Sequence, residues 1–278
     1  MLSGEIYKMT IKYLDSKRIS ALSSDTKPTN VETNSILVEK DTGVRRWFDG
    51  TAWSGIWNYN HDFSTDDGLW SFANPSATNK VDTGAGVLRT DTTSSNTGGI
   101  NKACSGDIFG GIVSDTAWVL QIDLLTYTSL TSAGQNGFGM SAVDYSVPSY
   151  NTSGWNNGSG DLLYFYTYQQ GSTDCYTRLG YTAGGGNGSG DDVLSTDTLV
   201  PNMYYQLIRT SATSSTGQWG TNSDFTSPTV NLTNTVIPST IDNLRYVKFG
   251  NLVYTGFGGA MVGNFSALRF ADGVTVAP

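Results

Sequence analysis

Residues 118–127 read Trp118-Val119-Leu120-Gln121-Ile122-Asp123-Leu124-Leu125-Thr126-Tyr127. Successive side chains of an extended chain point to opposite faces, so Trp118, Leu120, Ile122 and Leu124 share one face, with Gln121 and Asp123 on the other. That is a strand with one side in a core. Outward from it, residues 137–145, 162–168, 176–181, 204–213, 244–249 and 262–270 read as further strands, and residues 87–90 and the segment near Phe63 as additions. Long Gly-, Asn- and Ser-rich loops join them, with no intervening helical run. About a dozen strands joined in this way predict an all-β, two-sheet antiparallel sandwich.

The composition agrees. Charged residues make up 14% of the 278-residue chain, against about 25% in an average soluble domain. The polar surface must therefore come from 31 Ser, 35 Thr, 20 Asn and 33 Gly. Glu is confined to Glu5, Glu32 and Glu39, and this shortage of good helix formers argues against helices. Residues 1–58 carry eight basic and seven acidic side chains, a net +1, and residues 59–278 eight and seventeen, a net −9. An acidic domain repels phosphate backbones, so no nucleic-acid partner is expected. No run approaches the roughly 18 apolar residues of a membrane span, so no membrane insertion is expected. The stretch from Met1 to Asp15 lacks the apolar core of a signal peptide. Cys104 and Cys175 either form one disulfide or are two buried thiols, and their spacing fits no zinc motif.

Residues 1–58 have a character of their own. Residues 6–14 lean towards a strand. Residues 35–40, the turn Asp41-Thr42-Gly43, residues 44–48, the turn Asp49-Gly50 and residues 51–57 then predict a small β-meander. It carries Trp47, Trp53 and Trp57. So short a segment cannot bury three indoles by itself, so the meander is expected to dock on its own large domain, a sister subunit or a larger assembly. The three tryptophans are its candidate assembly contacts. The expected division is an attachment and oligomerisation module, residues 1–58, ahead of one large domain, residues 59–278.

The strand Trp118-Val119-Leu120-Gln121-Ile122-Asp123-Leu124-Leu125, the run Leu244-Arg245-Tyr246-Val247-Lys248-Phe249-Gly250-Asn251 and the closing Val262-Gly263-Asn264-Phe265-Ser266-Ala267-Leu268-Arg269-Phe270-Ala271-Asp272-Gly273 together resemble concanavalin A-like, or laminin-G-like, jelly-roll domains. The resemblance covers about residues 59–278 and implies their fold; its motifs are packing patterns and speak only weakly for function. Asp25-Thr26-Lys27-Pro28-Thr29-Asn30-Val31, Val38-Glu39-Lys40-Asp41-Thr42-Gly43 and Trp47-Phe48-Asp49-Gly50-Thr51-Ala52-Trp53 are similar to a module of structural proteins of tailed viruses of bacteria and archaea. That similarity implies a virion component (a head decoration, spike or tail fibre) at the virion surface. Its expected partners are other virion proteins, further copies of itself, with a trimer favoured, and host-surface glycans. A cell-surface or secreted lectin is the alternative.

Little in the residues supports catalysis. Glycoside hydrolysis needs two carboxyl groups, and the glucanases among the concanavalin A-like proteins carry them on a Glu-x-Asp-x-(x)-Glu strand. No Glu follows Glu39 here, and no Asp pair alternates along one strand face, so no enzyme is expected; an Asp-based polysaccharide-degrading site is the remote alternative. His61, the single histidine, reads as structural, and a Ser-His-Asp site built on it is expected to be absent. For sugars, Tyr164, Tyr166 and Tyr168 fall on one face of a strand near a loop holding Tyr150, Trp155 and Asn156, which would make a platform of flat rings and amides. The same tyrosines would equally serve to pack against a loop or the opposite sheet. No cofactor is expected beyond calcium, for which Asn187, Asp191, Asp192 and Asp197 supply clustered oxygen ligands. Asn157-Gly158-Ser159-Gly160-Asp161 recurs as Asn187-Gly188-Ser189-Gly190-Asp191, read as repeated turn chemistry.

Overall fold

The structure is a computed structural model that describes residues 12–15, 17–41, 43–72, 80–92, 102–127, 134–144, 160–170, 174–183, 193–197, 203–253 and 261–278. These residues form strands, turns and loops, with no helix among them. In chain order the strands begin with β1 (Lys12–Asp15), β2 (Arg18–Ala21), β3 (Ile36–Glu39), β4 (Arg45–Phe48) and β5 (Trp53–Gly55). They continue with β6 (Tyr59–His61), β7 (Trp70–Phe72), β8 (Lys80–Asp82), β9 (Val87–Thr92), β10 (Lys102–Gly106), β11 (Trp118–Tyr127) and β12 (Gly134–Ser141). Next come β13 (Leu162–Gln170), β14 (Asp174–Thr182), β15 (Val193–Asp197), β16 (Met203–Ser211) and β17 (Ser214–Gly220). The last are β18 (Val230–Asn234), β19 (Tyr246–Val253), β20 (Met261–Phe265) and β21 (Leu268–Asp272).

Three sheets result. The first runs β1-β2-β3-β4-β5. Its β3-β4-β5 part is the expected antiparallel meander, but β2 adds alongside β3 in parallel, a strand not expected from the sequence. A seven-stranded sheet runs β15-β14-β13-β12-β19-β10-β7. A nine-stranded sheet runs β18-β17-β16-β11-β20-β9-β8, with β21 beside β11 and β6 beside β21. Residues 262–270, expected as one strand, are two: the chain breaks at Ser266-Ala267, and β20 and β21 both pair with β11, at its opposite ends.

The two large sheets enclose one core. Trp118, Leu120 and Ile122 point into it as expected, together with Leu163, Phe165, Tyr205, Leu207, Trp219, Phe249 and Phe270. Leu124 lies where its side chain is not described, beside an irregularity in register between Ile122 and Leu125. Phe138, Phe165 and Tyr205 meet edge to face at 5.7–6.0 Å between ring centres, the arrangement that brings positive ring edges onto negative faces. Gly217 is small because Phe165 reaches across from the other sheet, and a Cβ on Gly217 would stand 2.6 Å from that ring. Cys104 is a free thiol buried in this core, with its pKa pushed up by burial.

A second cluster lies on the opposite side of the nine-stranded sheet. Val119, Ile208 and Ala271 point outward there and pack with Val44, Val274 and Trp57. Val44 and Trp57 come from the N-terminal segment, so the five-stranded sheet rests on the outer face of the sandwich. Asn58 N–H donates to the Phe270 carbonyl, and Asp272 N–H donates to Asn58 Oδ1, at 2.9 and 2.8 Å.

Lys248 shows what burial costs a charge. Val247 and Phe249 point into the core, so Lys248 points to the other face of the seven-stranded sheet, yet it is 2% exposed. Its ammonium donates to the Asp144 carbonyl at 3.4 Å. Burial lowers its pKa to about 8, against the opposing pull of the Asp144 carboxylate. A cation with a depressed folded pKa weakens the fold where both states are charged, and that cost disappears as pH rises past the unfolded value. Stability is therefore expected to gain about 3 kcal/mol between pH 8 and 10.5 from this residue. Urea unfolding across that range should show the rise in the parent and a flatter profile in Lys248→Met. Parallel profiles would refute the assignment.

Candidate functional site

A row of planar polar side chains crosses the outer face of the nine-stranded sheet. Register sets Asn60 opposite Arg269, Arg269 opposite Gln121, Gln121 opposite Gln206, Gln206 opposite Gln218, and Gln218 opposite Asn231. The three glutamines lie outward because their strand neighbours face the core: Leu120 and Ile122, Tyr205 and Leu207, Gly217 and Trp219. Over this row opens a cleft of about 500 Å³, floored by Gln121, Gln206, Gln218 and Arg269. That volume lies within the roughly 300–1,000 Å³ of small-ligand sites.

Trp57, Phe225 and residues 276–278 wall the cleft. Trp57 lies between the five-stranded sheet and β6, and it packs against the outer apolar cluster. Phe225 stands at φ 52°, in the left-handed region, which costs a non-glycine residue on the order of 1–3 kcal/mol. Asp224 Oδ1 braces the same loop by accepting from the Thr226 N–H and hydroxyl, both at 3.1 Å. Residues 276–278 are held from behind. A Cβ on Gly55 would stand 2.2 Å from the Pro278 carbonyl carbon, so only glycine permits the approach that places this wall.

The polar groups are not equally occupied. Gln121 Nε2 donates to Asp123 Oδ1 at 3.0 Å and to the Ser223 carbonyl at 3.3 Å. Arg269 is neutralised by Asp123 at 2.5 Å, and its Nε donates to Asn60 Oδ1 at 3.4 Å. Gln206 is 4% exposed and lines the cleft, yet among the described residues its side-chain amide has no hydrogen-bond partner. Its amide atoms are not among the buried, unsatisfied polar atoms of the described residues, so the amide meets the solvent of the cleft and can exchange hydrogen bonds with a ligand there. Nothing in the local sequence marks this site, because its three glutamines meet only through strand register.

The residues singled out from sequence are placed differently. Tyr164 lies on the outer face of the seven-stranded sheet between Gly139 and Gly180 in register, and it is 5% exposed. A ring so covered presents little of its face to solvent. Tyr166 and Tyr168 continue along β13, but their side chains, with Tyr150, Trp155 and Asn156, lie outside the described residues. Of the calcium candidates, Asn187, Asp191 and Asp192 also lie outside them; Asp197 ends β15 opposite Cys175, its side chain undescribed. Trp47 is 39% exposed. Trp53 is turned inward against Phe48, its Nε1 donating to the Pro28 carbonyl at 2.7 Å, and Trp57 lines the cleft. Two of the three indoles are thus engaged within the chain.

His61 is structural in its contacts. Its Nδ1 accepts the Phe63 N–H at 3.0 Å, which leaves the proton on Nε2, and its ring lies between Tyr59 and Phe63. Tyr59 holds the nearby Asp67 carboxylate through a 2.7 Å hydrogen bond. Glu39 lies within the five-stranded sheet, tied to Arg46 at 2.7 Å and Lys27 at 3.5 Å.

Comparison with known proteins places this architecture. No family model matches the sequence, and no curated protein matches it. Solved structures do match. The carbohydrate recognition domain of Emp46p in its potassium-bound form covers 79% of this chain and 100% of its own length, with 10% identity and a TM-score of 0.52. The legume lectin-like domain from Entamoeba histolytica covers 79% and 99%, also with 10% identity and a TM-score of 0.52. The chain has a lectin-like jelly-roll fold. The CBM2 module of the evolved Dit of Lactobacillus casei BL23 phage J-1 shares this jelly roll, with 12% identity, coverage of 80% and 97%, and a TM-score of 0.50. Identities this low carry the fold of the jelly roll and nothing finer.

Proposed function

We propose that the chain is a virion structural component, of the capsid-decoration, spike or tail-fibre kind, whose jelly roll binds host-surface glycans without cleaving them. The observation that carries the glycan reading is the cleft, where the Gln206 amide, without a hydrogen-bond partner among the described residues, lies on the floor between the Trp57 and Phe225 walls. Sugars demand this combination, since their hydroxyls exchange hydrogen bonds with planar amides while their C–H faces lie against aromatic rings. The virion reading is supported by the similarity of residues 25–53 to tailed-virus structural modules, and by a phage Dit module that shares the fold. Residues 1–58 act as the attachment module, and the exposed Trp47 is the indole left for contact with a partner or another copy.

Binding without cleavage is tested by incubating the intact chain with host-envelope polysaccharide. Retention with no release of reducing ends is the expected outcome, and release of reducing ends would overturn the non-catalytic part. Light scattering tests assembly: the parent is expected to be an oligomer that Trp47→Ser shifts towards monomer. A monomeric parent that binds glycan would leave a cell-surface or secreted lectin in place of the virion component.

A further inference from the structure

We infer that the cleft takes a neutral, extended oligosaccharide lying across the strands, with Gln206 as the residue that selects it. This inference rests on the glycan-binding reading and adds the ligand's charge, its direction and its principal contact. Direction follows from register. Gln121, Gln206 and Gln218 stand on three adjacent strands, about 4.8 Å apart from one to the next, a spacing close to the rise per residue of an extended hexopyranose chain. Successive sugar residues would thus meet successive amides.

Charge follows from occupancy. Arg269 is paired with Asp123 in the same row, so its charge is compensated. Asp224, at the rim, adds a carboxylate with no cation assigned to it among the described contacts. An acidic sugar entering the cleft would meet the Asp224 carboxylate and find no unpaired guanidinium or ammonium among the lining residues. A neutral sugar needs neither. The amides of Gln206 and Gln218, without partners among the described residues, can each donate and accept, which suits hydroxyl groups that do the same.

The test is a glycan array carrying neutral and uronate-containing oligosaccharides of matched length, probed with the intact chain, Gln206→Leu and Phe225→Ala. The parent is expected to bind neutral oligosaccharides at least tenfold more tightly than acidic ones. Gln206→Leu should lose tenfold or more in affinity while its melting temperature stays level, because the amide makes no hydrogen bond within the described residues that leucine would remove. That combination separates a lost contact from a damaged fold. Phe225→Ala should weaken binding by a similar factor. Preferential binding of acidic glycans would overturn the neutral-ligand inference and leave the glycan reading standing. Neutral binding unchanged in both variants would place the sugar elsewhere and overturn the site. Binding of no glycan at all would overturn both the inference and the reading beneath it.

Discussion

Ala271→Asp is expected to uncouple the five-stranded sheet from the sandwich at a cost of about 3–5 kcal/mol at neutral pH, the scale of an uncompensated buried charge. Ala271 is fully enclosed by Val44, Val119, Ile208 and Val274, none of which can pair with a carboxylate. Burial would raise the pKa of the new carboxyl, so the penalty is full above its folded value. It shrinks as pH falls towards the ordinary carboxyl pKa of about 3.9. Limited proteolysis should cut the variant first within residues 1–58, with near-ultraviolet circular dichroism from the sandwich core retained. If the variant unfolds with the parent's midpoint and protection pattern, the apolar cluster contributes nothing to docking. Ala271→Ser, similar in size and uncharged, should stay within about 1–2 kcal/mol of the parent.

Trp219→Ala is expected to cost about 3–5 kcal/mol through the void it leaves between the two large sheets. Trp219 is fully buried, packs beside Tyr205, and donates through Nε1 to Thr177 Oγ1 at 3.0 Å. The bond ties β17 of one sheet to β14 of the other, so the residue supplies both volume and a directed link. Trp219→Phe keeps most of the volume and loses the link, with an expected loss of about 0.5–1.5 kcal/mol from the hydrogen bond itself. Denaturant unfolding of the two variants separates the contributions. Equal losses in both would mean that the hydrogen bond, and not the packing, dominates at this position.

The sandwich was legible wherever strands alternate. Trp118–Tyr127 has the expected bounds, and Trp118, Leu120 and Ile122 face inward as their spacing requires. Ser214–Gly220 was missed because only Trp219 along it is a large apolar residue; its other inward positions, Ser215 and Gly217, look like loop. The break at Ser266-Ala267 was also unreadable, since what divides the run is the pairing of each half with a different end of β11. Docking of the N-terminal segment was anticipated from three indoles too many for a small module, and one of the three, Trp57, lies at the contact. Val44 and Trp57 make it, while Trp53 is turned into its own sheet. The cleft was hidden for a related reason. Gln121 and Gln206 each look like an ordinary solvent-facing strand position, Gln218 falls in a stretch that looks like loop, and nothing within a single strand says that the three align.

The contact of Val44 and Asn58 with residues 270–274 has a consequence for the order of events during synthesis. The five-stranded sheet emerges from the ribosome well before part of the surface on which it rests, because that surface includes β21 and Val274, far later in the chain. Contacts so distant along the chain form late, and they make folding slow. Until then the apolar side of the sheet has no seat, and a nascent chain with exposed apolar surface is open to mispairing with its neighbours on the same message. Seating of the five-stranded sheet is in this way timed by β21 and Val274, and a chain released short of Val274 would carry that sheet with part of its seat missing.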